Sequence, residues 1–490
     1  MSQDSSHDSA HQVGASDVEV EKHTTTKVVM ISVVAAIGGF LFGFDTSVVN
    51  GAVDAITDQF ALSKGLSGFA VSCALLGAAV GAWFAGRIAD RFGRKAVMVV
   101  GGILFAIGAV GSAFAFNVWD LILWRVVGGV GVGVASVIAP TYIAEVAPAH
   151  IRGRLASLQQ LAITVGIFAA LLSDAFIANT AGSAGSETWL GWAAWRWMFV
   201  VGVIPSVVWA LLALSVPESP RYLIAQGETQ RAGEVLREVL GTRSLEAVQR
   251  KVNEIKNSMR REHDPSLRDL RGPKFGLLPI VWVGILLSVL QQGVGINVIF
   301  YYSTTLWQAV GFKESDAFTT SVITAVTNVV VTFIAIATVD KVGRKPLLTV
   351  GSAGMFVSLL VMAIAFSQAG GTTDKPSLPD PWGPIAVVAA NVYVISFGAT
   401  WGPVVWVLLG EMFPGKIRAA GLAVAAAAQW IANFAISTSF PSLAGLGLQW
   451  AYGLYALIAL LSFVFVRRAV RETKGRELED MDDTAPAPAG

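Results

Sequence analysis

Long apolar runs recur along the chain, separated by short polar loops. A helix crossing a bilayer core about 30 Å thick needs roughly 20 apolar residues at about 1.5 Å each. Runs of that length fall at 28–50, 66–88, 96–116, 119–141, 155–177 and 194–216. Six more fall at 277–302, 318–338, 346–367, 384–409, 419–440 and 447–467. They are too long for β-barrel strands, which need about 10 alternating residues. The pattern predicts an all-α integral membrane protein with twelve transmembrane helices in two bundles, 28–216 and 277–467. Residues 217–276 carry charge with spaced leucines and valines, which predicts short amphipathic helices. The stretch 1–27 reads as a disordered polar tail with no apolar segment of a cleaved signal peptide. A second tail is expected over 468–490, ending in the Pro- and Ala-rich 484–490.

Charge sharpens this picture. Only 14% of the 490 residues are charged, and 35 Lys and Arg against 34 Asp and Glu leave a net charge of +1. Such a balance cannot neutralise a phosphate backbone, so nucleic acid is not an expected partner. A single cysteine, Cys73, excludes a disulfide framework and a Cys-built metal site. Basic residues segregate strongly. Arg87, Arg91, Arg94 and Lys95, Arg152 and Arg154, Lys341, Arg344 and Lys345, and Lys416 and Arg418 occupy alternate loops. The other loops hold Lys64, Lys313 and Lys375. The positive-inside rule then places both termini in the cytoplasm and the protein in the cell membrane.

The two bundles repeat each other. Asp90, Gly93, Arg94 and Lys95 follow the second run; Asp340, Gly343, Arg344 and Lys345 follow the eighth. Glu145, Pro148, Ile151 and Arg152 follow the fourth; Glu411, Pro414, Ile417 and Arg418 follow the tenth at identical spacing. Pro217-Glu218-Ser219-Pro220-Arg221 leaves the sixth run, and Arg471-Glu472-Thr473-Lys474-Gly475 leaves the twelfth. A parallel duplication of this kind is a transporter plan with solute held between the halves. A Gly turn presenting Arg against Asp and Glu at helix ends could latch the cytoplasmic faces of the halves together. These motifs resemble the major facilitator superfamily, and more narrowly its sugar-porter family, with Arg471 departing from the Pro usual there. The resemblance runs from about residue 30 to 475 and implies two pseudo-symmetric six-helix bundles. It also implies a cytoplasmic gate built from Asp90, Gly93, Arg94, Glu145, Arg152, Glu218, Arg221, Asp340, Gly343, Arg344, Glu411 and Arg418.

Ionisable residues inside spans are costly and point to function. All five histidines (7, 11, 23, 150 and 263) lie in tails or loops, which excludes an intramembrane His relay. Asp45 lies about five residues from the outer end of the first run, and Arg125 about six from the outer start of the fourth, so both sit roughly 8–9 Å deep. A lone carboxylate there is expensive, and a cationic neighbour offsets the cost. The pair is either a static tie between helices or a proton switch. In the sugar-porter resemblance, an Asp in this Gly-Phe-Asp-Thr context is the proton-coupling residue of symporters.

Neutral amides form the second group. The seventh run carries Gln291, Gln292, Asn297, Tyr301 and Tyr302, interrupted by Gly293 and Gly295. Gln160, Asn328 and Gln429 lie in other runs, with Trp406 and Trp430. Amides donate and accept, and an indole covers the C–H face of a pyranose, so the set suits an uncharged polyol. Gln160, Gln291, Gln292, Asn297, Asn328, Trp406 and Gln429 coincide with sugar-contacting positions of the family, followed by Phe42, Tyr301, Gly402 and Trp430. The segment Gly129-Val-Gly131-Val-Gly133 lies inside a run and reads as helix packing rather than a nucleotide turn. No Gly-x-x-x-x-Gly-Lys-[Ser/Thr] occurs, and no cofactor is implied.

The expectation is a monomeric carrier, not an enzyme, that imports a hexose, most plausibly glucose, with a proton. A pentose or inositol symporter, a uniporter and a transport-inactive sensor remain open. Asp45→Asn is expected to abolish uphill uptake while sparing exchange of labelled sugar; undiminished accumulation would exclude proton coupling through Asp45.

Overall fold

The computed structural model describes residues 7–147, 152–240, 244–261, 267–272, 276–372, 375–414 and 417–473. The tail beyond 473 and the loop residues Pro148, His150, Ile151 and His263 lie outside the described residues, as do the side chains of Arg152, Asp340 and Arg418. Among the described residues, twelve helices are long and apolar enough to span a membrane. Spans 1 to 6 are Thr26–Gln59, Lys64–Phe92, Arg94–Phe114, Val118–Val146, Leu158–Ala181 and Ala194–Ser215. Spans 7 to 12 are Pro279–Tyr301, Glu314–Thr338, Arg344–Ser367, Trp382–Met412, Ala420–Leu446 and Leu448–Ala469. The first helix starts at His7, inside the stretch expected to be a disordered tail. No proline between residues 7 and 25 interrupts the i→i+4 ladder as it leaves the span.

Local chemistry sets the helix ends. Asn117 caps span 4, its Oδ1 accepting from Trp119 N and Asp120 N at 2.9 Å each. Ser219 caps Pro220–Ala225, with the proline at the first helical turn. That helix, Thr229–Leu240 and Leu245–Arg261 form the linker between bundles. Leu223, Ile224, Ala232, Leu236, Val248 and Val252 give it a small core. A Lys27–Glu238 ion pair ties it to span 1.

Glycine packs the first bundle. A side chain at Gly77 or Gly81 of span 2 would strike the Val126 or Val130 carbonyl of span 4. Reciprocally, one at Gly129 or Gly133 of span 4 would strike the Ala74 or Ala78 carbonyl of span 2. Spans 1 and 5 meet the same way, Gly43 against the Ile163 carbonyl and Gly166 against that of Phe40. In lipid, helix association gains little from hydrophobicity, so close backbone approach supplies dispersion contact instead. The Gly129–Gly133 repeat is therefore a packing element, as its position inside a run predicts.

The halves meet at the face away from the basic loops. Asn50 Nδ2 donates to Ser303 Oγ at 2.6 Å, and Asn50 Oδ1 accepts from Thr304 N at 3.0 Å and Thr304 Oγ1 at 2.7 Å. Asp54 accepts from Thr305 Oγ1 at 2.8 Å and Gln308 Nε2 at 3.1 Å. Ser72 pairs with Thr438 at 2.6 Å, and Glu314 accepts from Ala184 N at 2.8 Å.

Gly133→Val should cost about 1–3 kcal/mol by overpacking and lower the thermal midpoint of the purified protein by several degrees. Gly453→Ala, with nothing within 4 Å of the added carbon, should leave it nearly unchanged.

Candidate functional site

Two backbone irregularities build the site. Span 7 breaks at Gly295, whose φ of 81° is left-handed, so Pro279–Gly293 gives way to Ile296–Tyr301. Span 10 widens into a π-helical turn at Phe397–Trp401, closed by Gly402 N donating to Phe397 O. Pro403 follows directly and has no N–H for an ordinary i→i+4 bond. Between these breaks lies a chain of amides. Gln291 Nε2 donates to Trp401 O at 2.9 Å and Gly402 O at 3.3 Å. Gln291 Oε1 accepts from Gln429 Nε2 at 2.6 Å and from Gln292 Nε2 at 3.4 Å. Asn297 Nδ2 donates to Gln292 Oε1 at 2.6 Å.

The other expected residues lie around this chain. Asn433 Nδ2 reaches Tyr301 Oη at 3.4 Å. Phe42 and Trp430 stack edge to face across the halves, centroids 5.5 Å apart. Asn328 is buried beside Gly398, where an added carbon would stand 3.2 Å from Asn328 Oδ1. Gln160 is half-buried and outside the hydrogen-bonded chain. Trp406 is 42% exposed, unlike the fully buried Trp401. Sequence reading missed Trp401 and Asn433. Asn433 was findable, since Gln429, Asn433 and Ser437 form an i, i+4 stripe; Trp401 acts through its main-chain oxygen, which no residue type announces.

Asp45 and Arg125 do meet. Arg125 Nη1 is 3.9 Å from Asp45 Oδ1, and both side chains are buried. Arg125 Nη2 donates to Val71 O at 3.1 Å, its guanidinium lies 5.6 Å from the Phe199 ring centroid, and Nε has no hydrogen-bond partner. The two line a cavity of about 10 Å³, the scale of one water. The ion pair is long, so the guanidinium is not committed to a bidentate grip on this carboxylate. Asp174 of span 5 is fully buried, its carboxyl group packed against Gly51 of span 1.

At the basic face the duplicated motifs form two matching clamps. Arg94 holds Glu145 through two bonds of 3.0 Å, and Arg344 holds Glu411 at 3.1 and 2.8 Å. Asp90 lies 3.0 Å from Arg94 Nη2. Glu218 accepts from Arg94 N at 2.9 Å, and Glu472 from Arg344 N at 3.0 Å, the carboxylates seated on the N-termini of spans 3 and 9. Gly93 and Gly343, with φ of 92° and 102°, make the turns. A side chain at Gly93 would strike Glu218, and one at Gly343 would come within 2.9 Å of Glu472 Oε2. These described bonds lie within each half, and the latch between halves that the motifs suggest, which would break on opening inward, is not among them. The cause is geometric: each short loop delivers its arginine beside the helix ends of its own bundle. Glu472 belongs with the expected gate residues and was omitted, although its repeat position matches Glu218.

The geometry is that of a twelve-helix membrane bundle with a cluster of neutral amides and a buried Asp45–Arg125 pair. A family model described as "Sugar (and other) transporter" matches residues 31–485. The chain belongs to this sugar-porter family of the major facilitator superfamily, whose members are transporters rather than enzymes. It is 54% identical over 456 residues to a glucose transport protein of Synechocystis sp., covering 93% of this chain and 97% of that protein. It is 36% identical to the D-xylose-proton symporter of Escherichia coli (strain K12), covering 94% and 96%. An inward open structure of the xylose transporter XylE from E. coli superposes with a TM-score of 0.78 at 35% identity, covering 93% of this chain and 99% of that one.

Asn50→Ala removes the hydrogen bonds of its side chain across the halves. At about 1 kcal/mol each, their loss should favour opening at that face by tenfold or more. Spin labels at Phe116→Cys and Leu446→Cys in a Cys73→Ala background should then report a longer distance population.

Proposed function

We propose that this protein imports glucose or a closely related hexose together with a proton, by alternating access of two six-helix halves. The amide chain of Gln291, Gln292, Asn297 and Gln429 carries the reading, because it offers hydrogen bonds without a fixed charge. An ionic solute would need an opposite charge there, and a hydroxylated neutral one does not. The names of the relatives support a sugar, and the 54% identical glucose transport protein favours glucose among them. A XylE structure bound to 6-bromo-6-deoxy-D-glucose, TM-score 0.76, is consistent with a hexose-sized site.

In this reading the basic face is cytoplasmic, with both termini inside, and the protein works as a monomer in the plasma membrane. The hydrogen bonds from Asn50, Asp54 and Ser72 close the outer face. A carrier held shut at its outer face in this way is read as inward-facing. Gln160, Asn328, Phe42, Tyr301, Gly402, Trp430 and Trp406 complete the sugar site as the halves rock together. The Arg94–Glu145 and Arg344–Glu411 clamps, with Arg152, Arg221 and Arg418, are the surfaces that meet when the cytoplasmic side closes. Asp45 takes up a proton, which loosens its attraction to Arg125. One proton moving down about 100 mV yields about 2.3 kcal/mol, enough for about 40-fold accumulation of a neutral solute at about 1.4 kcal/mol per tenfold.

Proteoliposomes holding the purified protein should accumulate labelled glucose when an inward proton gradient is imposed, and only equilibrate it when the gradient is collapsed. Unlabelled xylose, arabinose and inositol should compete less well than glucose. Equal uptake with and without the gradient would mark a facilitator, and no uptake of any sugar would mark a sensor.

A further inference from the structure

The amide chain has a direction. Backbone carbonyls only accept hydrogen bonds, so the group of Gln291 facing Trp401 O and Gly402 O must be its NH₂. That leaves Gln291 Oε1 at the other end, and Gln429 must turn its own NH₂ toward it. Reversing Gln429 alone would set oxygen against oxygen. Gln429 Oε1 is then left over: it is buried, with no hydrogen-bond partner.

What holds the direction is the π-helical turn. The Trp401 indole Nε1 donates to Leu348 O and to Ser352 Oγ, both at 3.0 Å, and Ser352 Oγ also accepts from Ser462 Oγ at 3.0 Å. Trp401 is completely buried. Across the same seam, an added carbon at Gly351 would strike Thr400, so spans 9 and 10 touch along the whole turn. The indole thus pins the residue whose carbonyl orients Gln291.

We propose that the π-helical turn Phe397–Trp401, anchored through Trp401 and Ser352, fixes the polarity of the sugar site, so that Gln429 Oε1 is a permanent acceptor demanding a hydroxyl hydrogen from the solute. This rests on the sugar-binding reading above and goes beyond it. Trp401 and Ser352 are positioning residues, acting through Gln291 and Gln429. A freely rotating amide would accept either a donor or an acceptor from the solute. A locked one tells a hydroxyl from a group that only accepts.

Deoxyfluoro sugars make that distinction, because fluorine replaces the hydroxyl but donates nothing. The series of deoxy- and deoxyfluoro-D-glucoses would compete against labelled glucose exchange in proteoliposomes. In the native protein, at least one ring position should lose about 10- to 100-fold in inhibition constant with fluorine, as much as with hydrogen. In Trp401→Phe, and to a smaller degree in Ser352→Ala, the fluorine penalty at that position should shrink relative to the hydrogen penalty. A merely structural defect would lower the amount of active carrier and leave that ratio unmoved. If Trp401→Phe fails to fold, Ser352→Ala decides the outcome. Fluorine tolerated at every position, or a ratio unchanged in the variants, overturns the polarity while leaving glucose transport standing. Failure of glucose itself to compete removes both readings.

Discussion

Inside hydrocarbon a backbone N–H or carbonyl has no water to turn to, and everything in this protein follows from that restriction. It forces twelve helices, because a helix satisfies its own backbone. It also makes each departure from a helix informative. The chain breaks its ladder at Gly295 and widens it at Phe397–Trp401, and the amide side chains gather at those two places. The carbonyls of Trp401 and Gly402, at the end of the widened turn, become partners for Gln291. The proposed sugar site lies where the backbone is irregular, and the irregularity is tolerated because it faces protein rather than lipid.

The same restriction governs charge. Arg125 and Asp45 persist within the bundle as neighbours, each offsetting part of the other's desolvation. At the basic face, Glu218 and Glu472 sit on helix N-termini, where free N–H groups and the helix dipole favour an anion. These clamps stiffen each half independently. A bundle braced within itself can tilt as a body, while the hydrogen bonds of Asn50 and Asp54 between halves can break and reform. Rigid halves with a weak polar seam are what a rocking carrier needs.

Much of this was legible in the sequence, and unevenly so. Asp45 and Arg125 could be paired because helical rise converts residue count into depth. Gln291, Gln292, Asn297 and Gln429 stood out because amides are rare in apolar runs. The clamp motifs can be read along the chain, but spacing does not say which helix end each arginine reaches, and here Arg94 and Arg344 reach helix ends of their own halves. Asn50 passed unnoticed: an asparagine near a span end looks like any cap until its partner, 254 residues away, is known.

The number of spans, the duplication, the segregation of basic residues and the neutral amides within the spans can all be read along the chain. Those are properties of composition and of one-dimensional period, and hydrocarbon reads them directly. It takes the packed bundle to show which face is held shut by bonds between the halves, which way each amide points, and that Trp401 contributes through its carbonyl while Trp406 is exposed. Direction and closure depend on pairs far apart in the chain, and a hydrogen bond has no polarity until both of its ends are in place.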